Sequence, residues 1–375
     1  MNVNSQPTRE AAVFLRCRHG LIQFQKYRSP RMFSFLTKKK PSTATINAQS
    51  VTVQPKETLL QAALREGVAI PYSCRVGGCA TCKCKLVQGK VKELTEASYV
   101  LSDAELDKGY ILACQSVPQG DVTIEVDLSS QPVRRQVSGR VIGQERLTRD
   151  ITRVRVQLDE ALAYKAGQFA DISLASLPGV QRSYSFATPA QADAQVAFFV
   201  RHVPGGVFSS AIHEQNVMGQ ALIVDGPVGD FWLRPGSSPL ILIAGGSGLA
   251  PMLALLKDAA NQGVQRSVTL LFGARTQQDL YALDEIEALS QQWAGRFRFL
   301  PVLSAEPAES NWAGARGLVS DQIPQLIEAG SQAYLCGPPA MIDHAMPVLK
   351  LHGVRREDIF ADRFSTQHDS LPAAA

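Results

Sequence analysis

The sequence predicts a multidomain α+β and α/β chain, and three observations carry that prediction. Residues 44–128 mix alternating strands with a short helical repeat and hold five of the seven cysteines. Residues 137–236 are short alternating strands separated by turn signals, the pattern of a small antiparallel barrel. Residues 237–365 alternate continuous apolar runs with helical stretches, as a parallel sheet covered by helices does. Length agrees, since 375 residues at ~150 per domain is about two and a half domains. With 45% hydrophobic and 19% charged residues the chain buries a large core, which excludes a disordered, collagen-like or coiled-coil protein.

The net charge of +4 is unevenly spread. Residues 1–40 hold nine basic side chains (Arg9, Arg16, Arg18, Lys26, Arg28, Arg31, Lys38, Lys39, Lys40) against one acid, Glu10, so the remainder is slightly acidic. The balance therefore gives no support to a nucleic-acid partner. Residues 1–43 read as a basic extension, either disordered or upstream of a native start near Met32, in preference to a membrane-surface arm, a nucleic-acid tail or an organelle presequence. Residues 12–24 lack the uninterrupted apolar run of a secretory signal. Residues 240–256 (LILIAGGSGLAPMLALL) are apolar, but Gly245, Gly246, Ser247, Gly248 and Pro251 divide them into strand, turn and helix, so no transmembrane segment is expected. Seven cysteines, an odd number and few for this length, fit a reducing compartment in which thiols serve a metal or a redox step; a cytoplasmic location is expected.

In residues 44–128, positions 45–53 alternate like a half-buried strand, and 57–67 have helical spacing at Leu59, Leu60, Ala63 and Leu64 before a glycine. Cys74, Cys79 and Cys82 follow with C-x4-C-x2-C spacing, and thirty-one residues separate Cys82 from Cys114. Four thiolates are what a [2Fe–2S] cluster needs, two per iron, and this is the plant-type spacing. Gly77 and Gly78 let the loop wrap closely and leave amides to hydrogen-bond the sulfurs. A zinc site would draw on two short-spaced pairs, whereas here three ligands cluster and the fourth stands alone. The segment resembles a plant-type ferredoxin over its whole length, which implies a β-grasp fold. Cys84 reads as a spectator thiol on the following strand, because C-x-C does not fit that loop, and Cys17 has no assignment.

Residues 129–136 are polar with a proline and read as a linker. On the barrel of 137–236 stand two motifs. In Arg182-Ser183-Tyr184-Ser185 an arginine can pair with a phosphate, a tyrosine can pack on a flat ring and a serine hydroxyl can reach a ring nitrogen. In Gly205-Gly206-Val207-Phe208-Ser209-Ser210 a glycine turn opens a helix, where free amides suit a pyrophosphate. In this order the two resemble the flavin domain of the ferredoxin–NADP reductase superfamily. By that likeness Arg182, Tyr184, Ser185, Gly205, Gly206, Val207 and Ser209 hold FAD.

In residues 237–365, the buried strand at 240–244 runs into Gly245-Gly246-Ser247-Gly248-Leu249-Ala250-Pro251 and a helix over 252–260. Glycines between strand and helix admit a dinucleotide's phosphates, although this is not G-x-G-x-x-G and a plain glycine turn competes at this point. Leu271-Phe272-Gly273-Ala274-Arg275 then ends a strand, with Asp279-Leu280-Tyr281 beginning a helix, and Cys336-Gly337-Pro338-Pro339 ends another at its ligand-binding carboxyl end. Together the three resemble the nicotinamide domain of the same superfamily. By that likeness Gly245, Gly246, Gly248, Pro251, Arg275, Asp279, Gly337 and Pro338 bind the nucleotide, and Cys336 lies beside the carbon that gives up hydride. The ending Asp362-Arg363-Phe364 resembles the family's acidic-x-aromatic close, so Ser185, Cys336 and Asp362 form a group around the flavin and Phe364 covers its ring; the alternative is a terminal strand residue and a core phenylalanine. Coenzyme choice is a charge question, and the G-x-R-x-x-x-D-L-Y ending, with Arg275 and Asp279, resembles NADH-dependent relatives rather than NADPH-dependent ones.

Three modules in this order resemble the single-chain reductase components of bacterial multicomponent oxygenases. The resemblance implies electron flow from NADH to FAD to the cluster, the flavin dividing a two-electron hydride into single steps, and then to a terminal oxygenase of Rieske or diiron type. A reductase for a desaturase, or a stand-alone NADH:acceptor diaphorase, is the alternative. A non-catalytic electron-transfer or redox-sensing subunit fits less well. The dihydroorotate dehydrogenase accessory subunit, for comparison, has its cysteines C-terminal. The cluster module has eight basic and ten acidic residues, so it carries no strongly acidic docking face.

Overall fold

The structure, a computed structural model, describes residues 40–72, 74–78, 80–128 and 134–364. Most of the basic extension, Cys17, Cys79, linker residues 129–133 and the tail after 364 lie outside the described residues.

The first module folds as a five-stranded mixed sheet in the order Gln49–Val53, Ser42–Ile46, Val122–Glu125, Lys83–Gln88, Tyr110–Leu112. Ser42–Ile46 and Val122–Glu125 run parallel and the other neighbours antiparallel. The helix Leu59–Arg65 starts on a capping box between Thr58 and Gln61 and buries Leu59, Leu60, Ala62 and Ala63. The alternation over 45–53 belongs to two strands rather than one. Asn47 and Ala48 both take left-handed backbone angles (φ 44° and 70°) and turn the chain into a hairpin.

The second module is a six-stranded antiparallel sheet in the order Gln181–Ser185, Phe169–Leu174, Ala221–Val228, Arg135–Arg146, Ile151–Leu158, Gln195–Arg201. A bridge between Phe186 and Phe198 brings its two ends together around Val156, Phe186, Phe198 and Val224.

The third is a six-stranded parallel sheet in the order Ala315–Arg316, Phe297–Leu303, Val268–Ala274, Leu240–Gly245, Gln332–Gly337, Ile359–Arg363. Both faces of the central strand are buried: Leu240, Leu242 and Ala244 enter one core, Ile241 and Ile243 the other. The first core also takes Ile151, Phe199 and Phe231 from the barrel, so barrel and sheet share apolar packing. Strand order reverses beside Leu240–Gly245, and the crevice at the carboxyl ends there is where such sheets bind ligands. Asp279-Leu280-Tyr281 does not begin a helix. Gln277–Asp279 is a single tight turn capped reciprocally by Thr276 and Asp279, and the helix Leu283–Gln292 starts only after Ala282, which is left-handed. Tyr281 is buried instead, against Phe199 and Phe272.

Candidate electron-transfer site

Cys74 lies in the bends of residues 74–78, Cys82 precedes the strand Lys83–Gln88, and Cys114 sits in the turn Ala113–Gln115. Each of these sulfurs faces an N–H donor. Gly78 N–H donates to Cys74 Sγ at 3.3 Å, Cys114 N–H to Cys82 Sγ at 3.4 Å, and Gln115 Nε2 to Cys114 Sγ at 3.7 Å. Donors aimed at sulfur stabilise thiolates, so this loop fits a cluster ligand set. Among the described residues no three His, Cys, Asp or Glu gather tightly enough for one metal ion. A two-iron cluster spreads its four thiolates over two ions, and Cys79 lies outside the described residues. Cys84 is buried on the strand opposite Ile111, and burial, with Cys114 alongside, pushes its thiol up to about 12. Gln115 was not singled out by the sequence; its position directly after Cys114 is the signal, and its Nε2 also donates to the Arg75 carbonyl at 3.0 Å.

On the barrel, Arg182 is exposed, Tyr184 is half-buried with its ring 5.5 Å from that of Phe208, and Ser185 is buried opposite Phe169. The turn at Gly205 and Gly206 opens the helix Val207–Glu214, whose first amides have no side-chain cap and could donate to an anionic group. Ser209 is buried and spends its hydroxyl inside that turn, accepting from Val203 N–H at 3.1 Å and donating to the Gly206 carbonyl at 3.2 Å. It shapes the turn. Ser210 instead holds His202 Nε2 at 3.1 Å.

At the crevice of the parallel sheet, the glycines of 245–248 divide their work. A side chain on Gly245 would meet Met341 and Pro338, and one on Gly248 would meet the Cys336 carbonyl, so Gly245 allows close packing against the start of the helix Pro339–Leu351 and Gly248 against the strand Gln332–Gly337. Gly246 has φ +54° and open space on its Cβ side, which leaves room for a phosphate. Tyr281 donates its hydroxyl to the Gly246 carbonyl at 2.8 Å and fixes the turn from beneath. Pro251 stands in the first turn of Leu249–Asn261. Gly337 passes within contact of the Gly245 carbonyl, and Pro338 precedes the helix Pro339–Leu351.

Cys336 and Asp362 face each other across adjacent parallel strands. Cys336 is fully buried, and burial, with Asp362 nearby, raises its thiol well above its ordinary value. Asp362 and Phe169, the register partner of Ser185, line one cleft of about 360 Å³ between the modules. Phe364 N–H donates to the Gly337 carbonyl at 2.9 Å. Arg275 lies 3.5 Å from Asp150 and 3.7 Å from Asp279. Asp279 also accepts from Arg149 Nε at 3.1 Å and from Thr276.

The modules are joined by residues that no motif announced. Arg134, at the end of the linker, reaches Asp225 at 2.5 Å, Asp171 at 2.7 Å and the Tyr72 carbonyl at 3.2 Å. Cys74 packs against Phe169 and Val228 of the barrel. Among the described residues no helix is long and apolar enough to cross a membrane.

Comparison with known proteins agrees with this arrangement. Residues 44–119 match the 2Fe-2S iron-sulfur cluster binding domain, 138–232 the oxidoreductase FAD-binding domain and 242–346 the oxidoreductase NAD-binding domain. The xylene/toluene monooxygenase electron transfer component of Pseudomonas putida is 42% identical over 86% of this chain and 94% of its own. The reductase component of phenol 2-monooxygenase from Pseudomonas sp. strain CF600 is 36% identical over 85% and 92%. Among solved structures, the Amycolatopsis cytochrome P450 reductase GcoB superposes with a TM-score of 0.64 at 32% identity, over 87% of this chain and 99% of that one. The chain therefore belongs to the family of reductase components of multicomponent oxygenases, oxidoreductases that combine a [2Fe–2S] domain with FAD- and NAD-binding domains.

Proposed function

We propose that this chain takes electrons from NADH and delivers them singly, by way of bound FAD and a [2Fe–2S] cluster, to a separate Rieske or diiron oxygenase in the cytoplasm. The observation that carries this reading is the seat of the cluster loop. Gly78 lies against the backbone of Arg363, so the loop that holds Cys74 and Cys82 meets the strand end that presents Asp362 and Phe364. In that seat the residues that would hold the cluster lie beside those that would face the flavin.

In this reading Cys74, Cys79, Cys82 and Cys114 hold the cluster. Arg182 takes a phosphate, Tyr184 and Phe364 face the flavin ring, and the amides after Gly206 take the pyrophosphate. Cys336 keeps its proton, because burial raises its thiol, and serves as a neutral wall beside the nicotinamide. Arg275 supports NADH over NADPH: with Asp150 and Asp279 on either side, its charge is partly spent, and the neighbouring carboxylates repel a 2′-phosphate.

Anaerobic mixing of the purified holoprotein with NADH should bleach the flavin. Cys79→Ser should retain that bleaching and lose rapid cytochrome c reduction. A flavin that NADH does not bleach would overturn the enzymatic reading. NADH consumption coupled to product formation with a purified oxygenase tests the acceptor, an assignment supported by relatives that are themselves components of oxygenase systems.

A further inference from the structure

Residues 356–363 grip the cluster module at the short segment 97–101 and again at Gly78. Arg356 donates through Nη2 to the carbonyl oxygens of Ser98 and Leu101, the latter at 2.7 Å, and through Nη1 to the Ile359 carbonyl at 2.9 Å. Arg363 makes a different contact. Its guanidinium lies 3.9 Å from the centroid of the Tyr99 ring, and its Nη2 donates to both carboxylate oxygens of Asp343, at 2.8 and 2.9 Å. Its Nε is buried with no hydrogen-bond partner among the described residues, so the Tyr99 ring is a main compensation for that part of the charge. The carbonyl of the same residue touches Gly78, where a Cβ would come within 2.9 Å.

We propose that Arg363 is a positioning residue: docking of the cluster module at Tyr99 fixes its side chain, and with it the Asp362–Phe364 segment beside Cys336. Asp362 and Phe364 are its immediate neighbours in the chain, Asp362 lies in register with Cys336, and Phe364 N–H is bonded to Gly337. A strand end held from one side by Tyr99 and Asp343 and from the other by Gly337 has little freedom. Without the ring, the guanidinium gains by turning toward water, and the backbone that carries Asp362 and Phe364 loosens with it. The proposal rests on the roles given above to Asp362 and Phe364.

The test uses the holoprotein carrying Tyr99→Ala, with Tyr99→Phe as the conservative change that keeps the ring, and Asp343→Asn as a loosening of the same clamp from its other side. Two quantities are read: hydrogen–deuterium exchange of amides 359–364, and the dependence of flavin reduction on NADH concentration. In Tyr99→Ala the limiting rate of flavin reduction should fall about 3- to 10-fold, with the half-saturating NADH concentration little changed. Exchange at 362–364 should rise in the same variant. Tyr99→Phe, which keeps the ring under the guanidinium and loses only the hydroxyl beside Asp343, should lose less than Tyr99→Ala, and Asp343→Asn should raise exchange at 362–364 as well.

Parent-like flavin reduction and exchange in Tyr99→Ala, with only the later cytochrome c reduction slowed, would overturn the proposal and leave Tyr99 as a plain contact between modules. If Tyr99→Ala does not fold, Tyr99→Leu, which keeps apolar bulk and removes the aromatic face, decides by the same two readouts. If NADH fails to reduce the flavin of the parent protein, the functional reading falls. The exchange data still decide whether Tyr99 holds Arg363 in place.

Discussion

Gly248 and Cys336 meet backbone to backbone: a Cβ on Gly248 would overlap the Cys336 carbonyl oxygen. Neither partner can yield cheaply. Gly248 begins the helix Leu249–Asn261, and Cys336 lies in a fully buried stretch of strand. Gly248→Ala should therefore destabilise the chain by about 1–3 kcal/mol, as overpacking does, and raise the NADH concentration needed for half-maximal flavin reduction. Urea melts and steady-state kinetics on one preparation would check both effects, and an unchanged melt would contradict the packing argument.

Arg134 offers a pH-dependent case. Burial by itself would raise the Asp225 carboxyl, but hydrogen bonds from Arg134 and Gln136 hold it below its ordinary 3.8. A lowered carboxyl contributes stability that is complete above its unfolded value and is lost as pH falls through the folded one. Arg134→Ala should cost about 2 kcal/mol near neutral pH. That deficit should shrink as the pH is taken down through 3.8 and below. Urea midpoints across an acid series would show the convergence. A deficit that stayed constant would place the effect elsewhere than in this pair.

The two neighbouring cysteines should behave oppositely. Cys82→Ser removes a sulfur that accepts the Cys114 amide, and the visible absorbance of the cluster should vanish. Cys84→Ala removes a buried thiol from the core, at a cost of about 1 kcal/mol, and should leave that absorbance intact. Spectra of the two purified variants decide between ligand and spectator.

Coenzyme preference should shift with Asp150, which lies beside Arg275 and has no place in the Asp279 turn. In Asp150→Asn a carboxylate is lost and Arg275 gains free charge. NADPH turnover, as kcat/KM, should improve about three- to fivefold, with NADH nearly unchanged. Equal changes for both nucleotides would argue that Arg275 does not face the ribose.

Much of the site was legible because its chemistry is local in sequence. The C-x4-C-x2-C loop, Arg182–Ser185 and the Cys336–Pro338 turn each hold their residues within a few positions of one another. The hairpin at Asn47-Ala48 was not legible, because alanine gives no sign that it will take a left-handed angle. Nor was Tyr281, whose D-L-Y setting reads as a helix start until Phe199 and Phe272 bury its ring. Contacts between modules were the least legible of all. Arg356 binds carbonyl oxygens of Ser98 and Leu101, and a backbone acceptor leaves no mark on the side chains that carry it.

The clamp at residues 97–101 also orders the assembly of the molecule. A chain grows from its N-terminus, and domains fold as they emerge. The loop of Cys74 and Cys82 is thus complete long before Arg356 and Arg363 leave the ribosome. Until those two arginines arrive, nothing from the last strand can cover Gly78. The barrel contacts of this loop, Phe169 and Val228 on Cys74 and Arg134 on Tyr72, are available earlier, so the contact of Arg363 with Gly78 is the last side of the loop to be covered.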